Sequence, residues 1–295
     1  MEKIDGEDAA RKGTVIPLPG AKVSVVMTFF DEPPWKLRRS VGSILAQTVS
    51  DLEFIVVPGN PSNTEAIREV EAMALADPRL SVLRVPAPLP MGTCLNLAIR
   101  IASAPFVALQ EADDASRPGR IAAQMAYMES HPEVDVLGTA LAYIDERDGR
   151  EIVRRSYPPG NAAFRRYAAI AHPTVFVRRE VYDRCGFYDE SGDWRHCPDY
   201  ELWLRWLTQG VRFHTIPDLL FDYYQSDENG RNRNVKPTLR SVVRLKRMYR
   251  DRLGFTTGDR AYLALEEALL LFPGRWIGRL FYLWIRVSSP AIRTP

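Results

Sequence analysis

The sequence predicts an α/β protein built on a mostly parallel sheet with flanking helices, and three observations carry that prediction. Short runs rich in β-branched residues alternate with segments whose apolar residues recur at helical spacing. Residues 23–30, 52–57 and 106–109 are apolar almost throughout rather than at every second position, the mark of strands covered on both faces. Strands alternating with helices require crossover connections, which set neighbouring strands parallel.

Residues 1–21 are polar, end near Pro17-Leu-Pro19-Gly20 and read as a leader without the pattern of a signal peptide. A first strand at 23–30 is stopped by Asp31-Glu32-Pro33-Pro34. Leu37, Val41, Ile44 and Leu45 predict an amphipathic helix over 35–46. A second strand at 52–57 breaks at Pro58-Gly59-Asn60-Pro61. There follow a helix over 64–76, a strand at 80–85, a helix over 93–103 and a strand at 106–109. Up to Asp114 this is half of a doubly wound nucleotide-binding fold. Next come a helix over 118–130, with Pro118 at its first position, and a long strand at 134–143. After Gly149 the alternation loosens into a mixed half. It holds a strand at 174–177, helices near 179–184 and 199–208, and short strands near 211–216 and 219–224.

Composition narrows the partners. The net charge of +2 over 295 residues argues against nucleic-acid binding. From Asn229 to Pro295, however, 14 Lys/Arg stand against 4 Asp/Glu, a net of +10, which leaves −8 for residues 1–228. A basic tail on an acidic body points to an anionic surface as the tail's partner. At roughly 100° per residue, Arg275, Arg279 and Arg286 share one narrow helical face, with Trp276, Ile277, Leu280, Phe281, Leu283, Trp284 and Ile285 around the rest. An interfacial membrane helix has this pattern, and so does a helix packed on the body. No apolar run reaches the roughly 18 residues of a membrane span. Cys94, Cys185 and Cys197 lack metal-ligand spacing and are odd in number, which fits a reducing cytoplasm. The expected location is therefore cytoplasmic, peripheral on the inner face of the membrane.

The chemistry concentrates in Phe106-Val-Ala-Leu-Gln-Glu111-Ala-Asp113-Asp114-Ala-Ser-Arg117-Pro118, where a buried strand runs straight into three carboxylates. Open α/β sheets hold their ligands at this end of the strands. Glu111 and Asp113, two apart on an extended backbone, would point the same way. A divalent cation bridging phosphate oxygens would relieve their repulsion. Asp114 and Ser116 also stand where they would cap the 118 helix.

An ordered series of motifs over residues 22 to about 225 resembles the family 2 glycosyltransferases of the GT-A fold, the nucleotide-diphospho-sugar transferase fold. The series comprises the opening strand, Ser40-Val-Gly-Ser-Ile-Leu-Ala-Gln-Thr48, the 52–57 strand, Gly92-x-x-x-Asn96 and Glu111-Ala-Asp113-Asp114. It continues with His172-Pro-Thr-x-x-x-Arg178, Gly186-Phe-Tyr-Asp189 and Asp199-Tyr-Glu-Leu-Trp-Leu-Arg205. The resemblance implies a glycosyltransferase domain over 22–228, with a nucleotide-sugar half (22–117) and an acceptor half (118–228), ahead of a basic helical tail (229–295). It implies inverting transfer of one sugar from a nucleotide-sugar to a glycan or lipid-linked acceptor, in cell-surface polysaccharide synthesis.

On that resemblance Asp113 and Glu111 hold Mn²⁺ or Mg²⁺, and Asp199 is the base that takes the acceptor's proton. Donor contacts are expected from Thr28, Phe29, Asp31, Asn96, Glu111, Asp114 and Arg233, the last in a loop where Arg231 also stands. His172 and His196 are candidates for the acceptor, each with an ordinary structural role as the alternative. The sequence departs from the family in having Val57-Pro58-Gly59-Asn60 after the second strand, where an Asp-Asp-Gly-Ser usually supplies a carboxylate for the nucleotide base. Asn60 and Asn63 are the available substitutes. That departure opens a second reading, a degenerate domain that binds without catalysis. A nucleotidyltransferase shares the sheet but carries a Gly-rich basic loop after the first strand, which Asp31-Glu32-Pro33-Pro34 is not.

Overall fold

The computed structural model describes residues 18–225, 235–274 and 277. The first half runs β1 (Val23–Phe29), α1 (Pro34–Leu45), β2 (Leu52–Pro58), α2 (Thr64–Ala76), β3 (Leu80–Val82), α3 (Met91–Ile101) and β4 (Phe106–Glu111). The second runs β5 (Ala115–Ser116), α4 (Arg120–Ser130), β6 (Val136–Asp145), β7 (Glu151–Arg155), β8 (Phe176–Arg178), α5 (Arg179–Cys185), α6 (Pro198–Leu207) and β9 (Phe213–Gln225). Helices α7 (Val235–Tyr249) and α8 (Thr257–Leu269) follow.

Among the described residues the strands form one sheet in the order β3-β2-β1-β4-β8-β6-β9-β5, with β7 on β6. The first four are parallel throughout, as the apolar runs require. Beyond β4 the sheet is mixed: β8 is antiparallel to both β4 and β6, whereas β6 and β9 are parallel. Alternation along β1 divides the core. Val25, Met27 and Phe29 pack with Leu37, Val41 and Ile44 of α1 and with residues of α2 and α4. Val26 and its neighbours Val57 and Leu109 pack with α3, α6 and Leu245 of α7 on the other face.

Three expectations change. The two strands near 211–216 and 219–224 are one, β9, and a register shift between Thr139 and Leu141 absorbs the interruption at Pro217-Asp218. His172–Thr174 is a 3₁₀ turn, so the strand expected from 174 begins at Phe176. The helix expected from 118 begins at Arg120 behind Gly119, without a side-chain cap, so neither Asp114 nor Ser116 caps it. Ser116 Oγ instead donates to Gln110 Oε1 at 2.7 Å.

Where it is described, the basic extension folds into α7 and α8 joined by a turn. Lys246, fully buried on α7, donates from Nζ to both oxygens of Glu266 on α8, at 2.7 and 2.6 Å, and to the carbonyl of Arg166. The interfacial helix read from Arg275 onward lies outside the described residues, apart from Ile277.

Candidate active site

β1, β2 and β4 finish level at one edge of the sheet, because Thr28 pairs with Val57 on one side and Glu111 on the other. Thr28 Oγ1 donates to the Val57 carbonyl at 2.8 Å. β4 stops at Glu111, and the chain turns over Ala112, which is 3% exposed and packs back into the core. This turn, and not an extended backbone, gathers Glu111, Asp113 and Asp114, with one carboxylate oxygen of each within 4.8 Å of the others.

The cluster is electrostatically unbalanced. Burial first, then the charges of Glu111 and Glu32, push the Asp113 carboxyl up to about 6, while Lys36 pulls the other way. Asp114 is fully buried, and its Oδ1 accepts the backbone N–H of Tyr224 at 2.8 Å. His172 Nδ1 donates to Glu111 Oε1 at 3.1 Å, and its Nε2 lies 2.9 Å from the Tyr188 hydroxyl. Three carboxylates converging without sulfur suit a hard divalent cation such as Mg²⁺ or Mn²⁺, so the donor set fits the expected metal.

The second half of the fold meets this cluster at His172. Asp199 sits in the first turn of α6, behind Pro198, where the helix dipole favours its charge. Burial disfavours a charged His172, but the hydrogen bond it donates to Glu111 and the charges of Glu111 and Asp199 outweigh it, raising the imidazole above its ordinary value. Glu111 and Asp199, 88 positions apart in sequence, thus act on one ring. The Trp203 ring of α6 lies 6.3 Å from that imidazole, centroid to centroid. His196 is half-buried in the loop before α6.

Other candidates are distributed differently. Phe29 is 2% exposed and packs under α1, so its ring is in the core; the ring exposed at the strand end is Phe30, at 43%. Asn96 is buried with its amide engaged: Nδ2 donates to the Tyr188 carbonyl and Glu190, and Oδ1 accepts from Tyr188 N. It clamps the Gly186–Asp189 segment to α3. Asp31 Oδ1 accepts from Asn60 Nδ2 at 2.9 Å, and Asn63 Nδ2 donates to the carbonyls of Phe30 and Glu32. The two asparagines therefore brace the loop after β1. Arg231 and Arg233 lie outside the described residues.

The sequence reading missed what holds the acidic turn. Ser40 Oγ donates to the Glu111 carbonyl at 2.8 Å, and Ser43 Oγ accepts from Ser116 N at 3.0 Å. Gln47 donates to the Arg117 carbonyl at 2.8 Å and accepts from Ile121 N at 3.0 Å. Arg39 donates from Nη2 to the Asp113 carbonyl. The available signal was the polar series Ser40, Ser43 and Gln47 at helical spacing beside the apolar face; in the structure Ser40 is fully buried and Gln47 is 7% exposed, so both require partners.

Among the described residues no helix is long and apolar enough to cross a membrane. The amylovoran biosynthesis glycosyltransferase AmsE of Erwinia amylovora is 27% identical over 230 residues, which cover 76% of this chain and 84% of AmsE. An uncharacterized glycosyltransferase of Methanocaldococcus jannaschii is 28% identical over 241 residues, covering 79% of this chain and 81% of its own length. The solved mannosyltransferase PcManGT of Pyrobaculum calidifontis, in complex with GDP-Man and Mn²⁺, gives a TM-score of 0.57 at 17% identity, over 95% of this chain and 81% of that one. At such low identity this last likeness speaks for the fold, which is of the GT-A type. The model of the family described as glycosyl transferase family 2 matches residues 24–186, more than half of the sequence and every strand of the acidic rim, and the chain belongs to that family.

Proposed function

We propose that the chain transfers one sugar, with inversion, from a nucleotide-sugar to a glycan or lipid-linked acceptor in cell-surface polysaccharide synthesis. The observation that carries this reading is the gathering of Glu111, Asp113 and Asp114 within 4.8 Å at the carboxyl end of β4, with Glu111 joined to His172 at 3.1 Å. The relative named for amylovoran biosynthesis supports the pathway class, and the neighbour holding GDP-Man and Mn²⁺ supports the donor class and the ion.

We assign Asp113 and Glu111 to the cation, Mn²⁺ or Mg²⁺, with Asp114 beside them on the ribose or the metal. When bound, the ion would neutralise the departing diphosphate without proton transfer. Asp199 takes the proton of the acceptor hydroxyl on the face opposite the leaving group. Thr28 and Asp31 line the donor end, Asn96 acts by holding the Tyr188 segment, and His172 and His196 stand toward the acceptor. Arg233 closing over the diphosphate remains part of this reading. Residues 22–228 act as the catalytic body, divided at 117, and the tail from 229 holds it against anionic lipid on the cytoplasmic face, each Lys or Arg there contributing about 1 kcal/mol.

The test is turnover of a panel of nucleotide-sugars with and without Mn²⁺. Wild type is expected to show metal-dependent hydrolysis or transfer with at least one donor, and Asp113→Ala to lose it. Asp199→Asn should lower transfer by about 10²–10⁴-fold, the range for general-base catalysis. The absent carboxylate after β2 favours a second reading, a domain that binds without turnover. Donor binding with no metal-dependent turnover of any donor would select that reading.

A further inference from the structure

The polar face of α1 is unusual for a helix laid on a core. Leu37, Val41 and Ile44 face the sheet. Beside them Lys36, Arg39, Ser40 and Ser43 fall within an arc of roughly 100° at helical spacing, and Gln47 follows just past the helix end. Every member of that stripe acts on residues 111–121 or, for Lys36, on the charge of Asp113.

Arg39 is the member that reaches the backbone of Asp113. Its Nη2 donates both to the Asp113 carbonyl and to Glu146 Oε1, the latter at 3.0 Å. Its guanidinium lies 3.5 Å from the centroid of the Tyr224 ring and 5.3 Å from that of Trp35. Stacking of this kind fixes the plane of the fork. Glu146 is fixed in turn by Lys36 Nζ at 2.8 Å, and its side chain is 10% exposed. Tyr224 closes the arrangement, because its backbone N–H is the donor to Asp114. Two of the three acidic residues are thus linked through one arginine, which meets Asp113 at its carbonyl and Tyr224 at its ring.

We infer that Arg39 is a positioning residue for the metal site: by holding the Asp113 carbonyl between Glu146 and the Tyr224 ring, it aims the Asp113 carboxylate into the cluster. The inference rests on the metal-holding role proposed for Asp113, and the experiment separates the two. Mn²⁺ alone is titrated into the full chain by electron paramagnetic resonance, well below the melting temperature, for wild type, Asp113→Asn, Arg39→Met and Arg39→Lys.

Asp113→Asn should abolish tight binding. Arg39→Met should weaken Mn²⁺ by about tenfold or more, as loss of a residue that orients a ligand does. Arg39→Lys, which keeps a cation able to donate to two oxygens but lacks the flat face against Tyr224, should fall between Arg39→Met and wild type. A purely stabilising role for Arg39 would lower the melting temperature and leave the Mn²⁺ affinity of the folded protein unchanged. That outcome, with Asp113→Asn still impaired, overturns the inference and spares the metal reading. Equal affinity in wild type and Asp113→Asn overturns both. If Arg39→Met does not fold, Arg39→Lys at wild-type affinity overturns the inference, and weakened affinity supports it.

Discussion

At the rim of the sheet, Glu111, Asp113 and Asp114 bring three carboxylates within 4.8 Å, and Asp113 is pushed up to about 6. Within the C-terminal extension, Lys246 meets both oxygens of Glu266, and Asp259 is held by Arg166 at 2.8 Å and by Thr256 in a capping box at the start of α8. Both regions bury ionisable groups. In the second Lys246 is paired with Glu266 and Asp259 with Arg166, and the result fastens α7 and α8 to the body. In the first, like charges are held together by the backbone contacts of α1, and the imbalance is what a cation would relieve. Mismatched burial marks the site, and matched burial marks the scaffold.

The largest expected effect comes from breaking the matched side. Lys246→Ala would leave Glu266 buried without its cation, a change that costs about 3–5 kcal/mol. Urea unfolding should register that loss, while the double variant Lys246→Met/Glu266→Leu should lie close to wild type. Mn²⁺ affinity of the folded protein should be unaffected in both. A single variant costing less than about 1 kcal/mol would mean that the pair is not the fastening described.

Breaking the mismatched side should do the reverse. A carboxyl raised in the folded state binds more protons folded than unfolded, so its contribution to stability declines as pH rises from the ordinary value of 3.8 to about 6. Above that window Asp113 opposes folding by no more than about 3 kcal/mol, at 1.36 kcal/mol per unit. Asp113→Asn, without metal at pH 7.5, should therefore raise the melting temperature by several degrees. Saturating Mn²⁺ should close the gap by stabilising wild type alone, by about 2.7 kcal/mol at a hundred times Kd. A destabilised Asp113→Asn protein would show that the cluster is not unbalanced.

Much of this was legible in the sequence because buried parallel strands are continuous apolar runs. β1, β2 and β4 and the acidic stretch after β4 needed no long-range information. β7 was not legible, since no residue of Glu151-Ile-Val-Arg-Arg155 is fully buried and its pairing with β6 leaves no apolar alternation. β9 read as two strands because Pro217 interrupts it. Phe29 was misread by parity: residues two apart share a face, so Phe29 follows Met27 into the core and Phe30 does not. The support of the acidic turn by Arg39, 74 residues away, depends on α1 crossing that turn, which no local pattern reveals.

The smallest effect sharpens the comparison by sign alone. Asp259 is 4% exposed, and burial works against its charge. Hydrogen bonds from Thr256 and Arg166 outweigh burial and hold the carboxyl below its ordinary value. A lowered carboxyl contributes stability that is present above the unfolded value and lost as pH falls through the folded one. Asp259→Asn should thus cost about 1 kcal/mol near pH 7, the usual worth of a helix cap, and progressively less in acid. Melting temperatures of wild type, Asp113→Asn and Asp259→Asn, taken without metal from pH 7.5 downward, should start on opposite sides of wild type and draw together. Parallel curves for the two variants would mean that the rim and the tail dock treat their carboxylates alike, and the distinction between site and scaffold would fail.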